Sequence, residues 1–559
     1  MARISGGAVL VRSLLSHRAE CVFTLCGNHL LSVYDAAIGT RLRLVDVRQE
    51  SAAAHMADAW TRVTGRPGVC LVTGGPGHTN ALTGVATAWA ADSPIIFLSG
   101  SSERSLRGKG AMQELDQVAL ARPITKWAAE VEDPRQIPAM LARAYRVAQT
   151  GRPGPVHLTL PVDVLDATVD ELDATPPSQP NWRFTGRTAP NTASIDRAVA
   201  ALTQSERPIA IAGAGAWWSD AGDQLREFVE ETGVPLFTID TARGLVSDDH
   251  PLCFGYADPL LNPAAALFGE ADLILLLGKR LDYRLRFGEL FAPDAAIVQV
   301  DAEALDIGQN RIVEVPVVGD VAIALEELLL LVQAKPFAFE PWVRRFGRAA
   351  AEGVLARAPA EGSAESPLHP LRLVREVRDL LGDDYCLAFD AGDFVQWARQ
   401  ALPARVPGGW LRLGPMATLG AAIPFALAAK LARPSARVFA LTGDGGVGFY
   451  GYELDTAVRH SVPFVTVVAN DAAWGMEKNL QLGIYGQGRV IASELLPTRY
   501  DEVMRALGGH GEHVSRPEDL RPALERALTA AGPALVNVET AGLASTLTEA
   551  AVRRKLARR

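Results

Sequence analysis

Cysteine is scarce in this 559-residue chain: Cys21, Cys26, Cys70, Cys253 and Cys386 are the whole set, and no two form a CxxC pair. An odd, scattered set argues against a disulfide framework or a zinc site and suits a reducing cytoplasm. Long apolar runs are missing as well. No stretch approaches the ~20 residues a membrane helix needs. The opening residues Met-Ala-Arg-Ile-Ser-Gly-Gly lack a basic segment followed by an apolar core, so a soluble, unprocessed chain is expected. Charge of one sign is not in large excess: the net charge is −9 and no long basic run exists to draw in nucleic acid or an anionic membrane. A small-molecule partner is expected instead. Low-complexity tracts and short repeats are also absent.

What is present is ordinary globular material, with 48% hydrophobic and 21% charged residues and turns supplied by 50 Gly and 35 Pro. The length is several times a usual domain of roughly 100 to 200 residues, which predicts about three domains. Apolar runs at Cys21 to Leu25, Leu42 to Val47, Val69 to Thr73, Ile95 to Ser99 and Val156 to Leu160 alternate with Ala-rich stretches of helical period. That alternation predicts a parallel sheet covered by helices. Thr168 to Ser194, containing TPPSQP, reads as a connector. The pattern resumes at Ile209 to Ala212, Leu236 to Ile239, Leu273 to Leu277 and Ile297 to Val300, then gives way to a charged helical region around Trp342 to Ala360 that ends at EGSAESP. A third unit carries strands at Cys386 to Phe389, Val438 to Leu441, Phe464 to Val468 and Ala534 to Val538. The expected fold is therefore α/β, with three doubly wound parallel-sheet domains at about 1–167, 190–335 and 366–545.

The strongest local signal runs from Ala440 to Met476, ALTGDGGVGFYGYELDTAVRHSVPFVTVVANDAAWGM. A strand ending near Gly443 is followed by Asp444 and by glycines, Gly445 and Gly446, that let backbone N–H groups approach phosphate oxygens. A second strand delivers Asn470 and Asp471 to the same sheet edge, where ligands of open α/β sheets bind. Mg²⁺ takes hard oxygen ligands, typically one or two carboxylates plus phosphates and water, and Asp444 with Asp471 would supply the carboxylates. Either fragment alone is most simply a surface turn. Their spacing on two successive strands is what sets them apart. In the first domain, Glu50 of VDVRQESAAAHMADAW stands where a strand gives way to a helix, a place where the macrodipole alone favours a carboxylate.

These stretches together resemble the acetolactate synthase and benzaldehyde lyase branch of the thiamine-diphosphate enzymes, and the resemblance extends from GGAVLVRSLL to GPALVNVET. It implies pyrimidine-binding, central Rossmann-like and diphosphate-binding domains in that order. It puts RQE at the place of the catalytic glutamate, so that Glu50, in an apolar setting that holds its proton, would promote the aminopyrimidine tautomer that activates the cofactor. Thr73, Gly75 and Gly77 would line the pyrimidine side, Leu419 would bend the cofactor, and the Ala417 backbone would face its amino group. Gly443, Asp444, Gly445, Gly446, Asp471, Trp474 and Met476 would surround the rest of it. Mg²⁺ would be held by Asp444, Asp471 and the backbone carbonyl of Ala473. The family usually has Asn-Asn where this chain has Asn470-Asp471, which adds one negative charge. Because the glutamate and the diphosphate site come from different subunits in this family, a homodimer or homotetramer is implied.

Two residues bear on the substrate. His29, in LCGNHLLSVYDA, stands where benzaldehyde lyase carries its active-site histidine, and Gln113, in AMQELDQVAL, matches a pocket glutamine of the family. A histidine that shuttles protons at neutral pH suits making or breaking a 2-hydroxy ketone. Asn28, Val395 and Met476 depart from the benzaldehyde lyase pocket and do not specify an aromatic substrate. The resemblance thus implies a carboligase or lyase acting on a 2-keto acid, aldehyde or acyloin. The alternatives are a 2-hydroxyacyl-CoA lyase, a 2-keto acid decarboxylase and, more remotely, a catalytically silent binding subunit. The central domain shows only GxG, at Gly213 and Gly215, rather than a full dinucleotide fingerprint. Acetolactate synthases hold FAD in this domain, with Gly278 to Arg284 in the corresponding region, and FAD is left open here.

Overall fold

The short apolar runs become the inner strands of three six-stranded sheets, each parallel throughout, except Leu42 to Val47, which becomes an edge strand. The computed structural model describes residues 3–176, 186–333 and 335–558, and the chain divides into two units. One contains Met1–Gly186, Leu413–Pro434 and Phe449–Pro463, and the other contains Arg187–Arg412, Ser435–Gly448 and Phe464–Arg559.

The sheet of the first unit is built from β1 (Cys21–Thr24), β2 (Arg43–Asp46), β3 (Gly68–Val72), β4 (Ile95–Ser101), β5 (Trp127–Glu130) and β6 (Val156–Pro161), in the order β2-β1-β3-β4-β6-β5. The inner strands are covered on both faces, which is why they read as continuous apolar runs. Helix α1 (Glu50–Thr64) packs against α2 (Pro76–Ala90) and against α3 (Ala422–Ala432), which arrives from much later in the chain. Almost every residue of α1 is buried, and its alanines make the close approach feasible. At Gly84 a methyl would fall 2.5 Å from Ala54 Cβ. Arg62 and Asp58 of α1 pair within the helix: Arg62 Nε donates to Asp58 Oδ1 at 2.7 Å, one turn back, and its guanidinium lies 5.2 Å from the Phe425 ring. A further helix, α4 (Glu453–Arg459), lies against the turn between β2 and α1 through hydrogen bonds to residues 46–49.

The second unit holds two sheets. The central one comprises β7 (Pro208–Ala212), β8 (Leu236–Thr238), β9 (Cys253–Tyr256), β10 (Leu273–Leu277), β11 (Ala296–Asp301) and β12 (Val315–Val318), in the order β9-β8-β7-β10-β11-β12. The other comprises β13 (Tyr385–Phe389), β14 (Trp410–Arg412), β15 (Arg437–Gly443), β16 (Val465–Asn470), β17 (His510–Val514) and β18 (Ala534–Glu539), in the order β14-β13-β15-β16-β18-β17. One apolar core joins them, running from Ile209 and Phe237 through Trp342 and Phe346 to Phe389 and Val465. The helical region expected around Trp342 is a single helix, Glu340–Glu361, anchored where Trp342 Nε1 donates to Pro208 O at 3.0 Å.

The connector expected at Thr168 to Ser194 is shorter than the sequence suggests. Thr168–Asp170 pairs antiparallel with Arg3–Ser5, and a helix begins at Thr192, capped by the Asn191 side chain. The middle of that segment, 177–185, lies outside the described residues. Among the described residues no helix is long and apolar enough to cross a membrane.

Candidate active site

Parallel strands present their carboxyl ends on one edge of a sheet, and in the first unit that edge gathers the predicted residues. The chain leaves β2 at Asp46 and enters α1 at Glu50, with Gln49 as the cap: its Oε1 accepts from Ser51 N at 2.7 Å. Glu50 is 9% exposed, and Asn80 Nδ2 of α2 donates to its Oε2 at 3.0 Å. Its surroundings are therefore not purely apolar, as the resemblance implied, but include one amide donor. Gly77 passes between Glu50 and Thr73: a methyl there would lie 3.6 Å from Glu50 Oε1 and 2.7 Å from Thr73 Cγ2.

Thr73 in turn holds His29. Its Oγ1 is 2.8 Å from His29 Nδ1, and Gly74 N–H donates to the same nitrogen at 3.3 Å. A nitrogen that accepts from a backbone amide cannot carry the proton of the neutral ring, so that proton is assigned to Nε2. Burial lowers the His29 pKa below its ordinary value of 6.5, so the neutral, Nε2-protonated ring prevails at pH 7.

Gln113 is half-buried with φ +63° and packs onto Gly75. Gly75 has φ +59°, and a methyl there would lie 2.7 Å from Gln113 Cβ, so only glycine suits this turn.

Three residues of this edge that sequence reasoning did not single out complete the network. Gln117, 2% exposed, accepts from Gly75 N at 3.0 Å and donates to Gly100 O at 3.0 Å and to Ser99 Oγ at 3.1 Å. Ser99 Oγ also lies 2.8 Å from His157 Nε2 and 3.1 Å from His78 Nδ1. Burial depresses both imidazoles, His78 to about 4. Asn80 and Glu453 are the others; nothing local marks them, because their partners lie 30 and about 405 residues away. Ala417 is exposed with φ +50° and Leu419 is half-buried, so Leu419 is not a core residue; between them Thr418 Oγ1 bonds Thr87 Oγ1 at 2.7 Å. A cleft of about 480 Å³ opens beside Gln117, but Glu103, Glu114, Asp116 and Glu130 line it, a poor setting for an anionic substrate.

In the second unit, β15 ends at Gly443 and β16 at Asn470, on neighbouring strands, and this brings Asp444 and Asp471 together as expected. Their carboxyl groups lie close enough to interact directly, and Ala473 N donates to Asp444 Oδ2 at 3.1 Å. Asn470 shapes the turn: its Oδ1 accepts from Ala472 N, while its Nδ2 donates to Thr498 O and Asn537 Oδ1. Burial pushes both carboxyls up, and for Asp444 the neighbouring Asp471 charge adds to it. A buried carboxyl group beside a half-buried one keeps both ionised most readily next to a cation. Among the described residues no cluster of three or more His, Cys, Asp or Glu is gathered for a metal, so a cation here would draw its other ligands from backbone oxygens, water and a bound phosphate. That donor set fits Mg²⁺. The Trp474 ring lies over Gly445, where a methyl would fall 2.6 Å from Cε3, and Met476 opens the half-buried helix Gly475–Tyr485. Val395 is fully buried in the apolar core.

The central-domain glycines do not fit a dinucleotide. Gly213 N donates to Leu277 O at 3.0 Å and Gly215 N to Gly278 O at 2.9 Å, so neither amide is available to a diphosphate. Both glycines permit the loops after β7 and β10 to touch: a methyl on Gly215 would lie 2.7 Å from Gly278 Cα.

Family models for thiamine pyrophosphate enzymes match along the chain: the N-terminal TPP binding domain at residues 4–120, the central domain at 195–328 and the C-terminal TPP binding domain at 390–538. A probable acetolactate synthase of Mycobacterium bovis is 36% identical over 535 residues, covering 96% of this chain and 95% of its own length. The acetolactate synthase large subunit of Corynebacterium glutamicum is 33% identical, covering 94% and 85%. The 2-hydroxyacyl-CoA lyase 2 of Homo sapiens is also 33% identical, covering 91% and 85%.

Proposed function

This chain belongs to the thiamine pyrophosphate enzymes, in the acetolactate synthase family, and from that premise we propose that it is a thiamine-diphosphate- and Mg²⁺-dependent carboligase that joins or splits the carbon–carbon bond beside a carbonyl in 2-keto acids or 2-hydroxy ketones. The observation that supports this most is the Asp444–Asp471 pair at the ends of adjacent strands, on the sheet edge where ligands of such folds bind. Asp444, Asp471 and the Ala473 carbonyl would hold the metal. When bound, thiamine diphosphate supplies a stabilised carbanion at the reacting carbon. The protein's own groups do the rest. Glu50, oriented by Asn80, shares a proton with the aminopyrimidine nitrogen. His29, its Nδ1 occupied by Thr73 and Gly74, directs Nε2–H at the substrate oxygen and relays a proton to the hydroxyl that forms. Gln113 borders the same pocket.

The working unit is a homodimer or a larger homo-oligomer in which Glu50 of one chain serves the diphosphate site of the other. The free cysteines suit a cytoplasmic setting. FAD has no part in the proposal, since the Gly213 and Gly215 amides are already engaged. Glu50→Gln tests the assignment: the amide keeps the shape but cannot share the proton. Turnover should fall below about a tenth of the parent's, given the typical 10²- to 10⁴-fold contribution of acid–base participation, while circular dichroism stays unchanged. Activity above that level would sink the role of Glu50.

A further inference from the structure

Glu453 falls within the Ala440 to Met476 stretch but was given no role there; it opens α4. It is 1% exposed, yet its carboxyl group points at backbone. Arg48 N donates to Oε1 at 3.0 Å and to Oε2 at 3.2 Å, Gln49 N donates to Oε1 at 3.1 Å, and Thr456 Oγ1 donates to Oε2 at 2.7 Å. Arg48 and Gln49 are the last residues before Glu50. Neighbouring contacts pin the same turn: Tyr450 OH meets Ser51 Oγ at 2.5 Å, Arg459 Nη2 donates to Asp46 O at 2.8 Å, and His460 Nε2 lies 2.8 Å from Asp46 Oδ1. Residues 46–51 are thus held from one direction by residues 450–460, with Glu453 at the centre.

We propose that Glu453 is a positioning residue for the catalytic glutamate: its carboxyl group clamps the two amides that precede Glu50 and so sets where α1 starts and where the Glu50 carboxyl group stands. The inference rests on the role given to Glu50 above. Asn80 fixes the acid end of Glu50, and Glu453 fixes its backbone end. Without Glu453 the Arg48 and Gln49 amides, in a part-buried turn, would lose the acceptor they share, and the turn would rearrange to find partners. Burial raises the Glu453 carboxyl to about 7, while the hydrogen bonds from Thr456, Arg48 and Gln49, and the nearby Arg459, pull the other way. The clamp rests on geometry, an acceptor oxygen within reach of both amides, and a glutamine oxygen at the same reach can still accept from both.

That distinction makes the test decisive. Glu453→Gln keeps the reach and an acceptor oxygen. Glu453→Asp keeps the charge but withdraws it by about 1.5 Å, one bond length. Glu453→Ala removes both. Two readouts are taken: amide hydrogen exchange over residues 46–52 in cofactor-free protein, and exchange of the thiazolium C2 proton in protein saturated with thiamine diphosphate and Mg²⁺. Positioning requires that Ala and Asp quicken the amide exchange and slow C2 exchange, each by about tenfold or more, while Gln stays within about threefold of the parent on both. If Ala does not fold, the Asp and Gln pair decides. The inference is overturned if C2 exchange holds in Asp or Ala, even where the amides loosen, because Glu453 would then be structural only. It is also overturned if Asp holds and Gln fails, because charge would then be the requirement. Glu50→Gln is run beside them. Normal C2 exchange in that variant would bring down the Glu50 reading itself, whereas slow exchange there with normal exchange in all Glu453 variants would bring down only the clamp.

Discussion

Gln117→Leu isolates what the buried network beneath the Gly74–Gly75 turn contributes. Leucine nearly matches the volume of glutamine but offers neither donor nor acceptor, so the Gly75 amide, the Gly100 carbonyl and one Ser99 Oγ contact lose a partner together. Gln117 is buried, and among the described residues Gly75 N–H has no second acceptor. Leaving a buried polar group unsatisfied costs roughly 1–3 kcal/mol, and with partial relaxation the local opening energy should fall by about 2–4 kcal/mol. At ~1.4 kcal/mol per decade this is about a 30- to 1,000-fold faster amide exchange at Gly75. Exchange read by mass spectrometry on peptides spanning residues 73–80 suits a chain of several units, where a single global unfolding energy is ill defined. Because Gly74 N–H orients His29, acyloin turnover should decline in parallel. Exchange within about threefold of the parent would refute the reasoning, since the bond to Gly75 would then contribute almost nothing.

Asp444→Ala should abolish Mg²⁺-dependent binding of thiamine diphosphate in calorimetry; retained affinity would remove the metal site. His29→Ala should slow turnover of 2-hydroxy ketones far more than C2-proton exchange, and equal losses in both would make it a supporting residue. Acid should destabilise the fold. His55, His78 and His157 are kept neutral by burial, His55 at about 3 and His78 at about 4 against an ordinary 6.5. The unfolded chain therefore binds the extra protons, and stability present above pH 6.5 drains away as the pH falls towards 4. At pH 5 each of them costs at most about 2 kcal/mol, to be read from denaturant midpoints at pH 7.5 and 5. Co-refolding Glu50→Gln with Asp444→Ala should restore up to about a quarter of the parent activity if each site draws on two chains, and none if it draws on one.

How much of this was legible in the sequence followed from burial. Every inner strand of the three sheets coincides with an apolar run, because both its faces are covered. The strands without such a signal, Trp127–Glu130, Cys253–Tyr256, Val315–Val318, Trp410–Arg412 and His510–Val514, all lie at sheet edges. An edge strand is covered on fewer sides, so Val315–Val318 alternates buried and exposed, and His510–Val514 carries two histidines and a glutamate. At the site, Asp444 and Asp471 were visible because each sits at a strand end flanked by glycine or asparagine, a local cue. Gln117, Asn80 and Glu453 were not, because what defines each of them is a partner elsewhere in the chain. Gly213 and Gly215 looked like half a nucleotide motif, and the structure spends their amides on backbone carbonyls instead.

The central claim is carbon–carbon chemistry dependent on thiamine diphosphate and Mg²⁺, and purified protein offered pyruvate, benzoin and a 2-hydroxyacyl-CoA in separate reactions tests it most directly. The account predicts a new carbon–carbon bond from pyruvate or cleavage of the acyloin, abolished when either the cofactor or Mg²⁺ is withheld. Turnover of the CoA ester alone would move the chain to the lyase relatives, and a protein that binds the cofactor but converts none of the three would contradict the account.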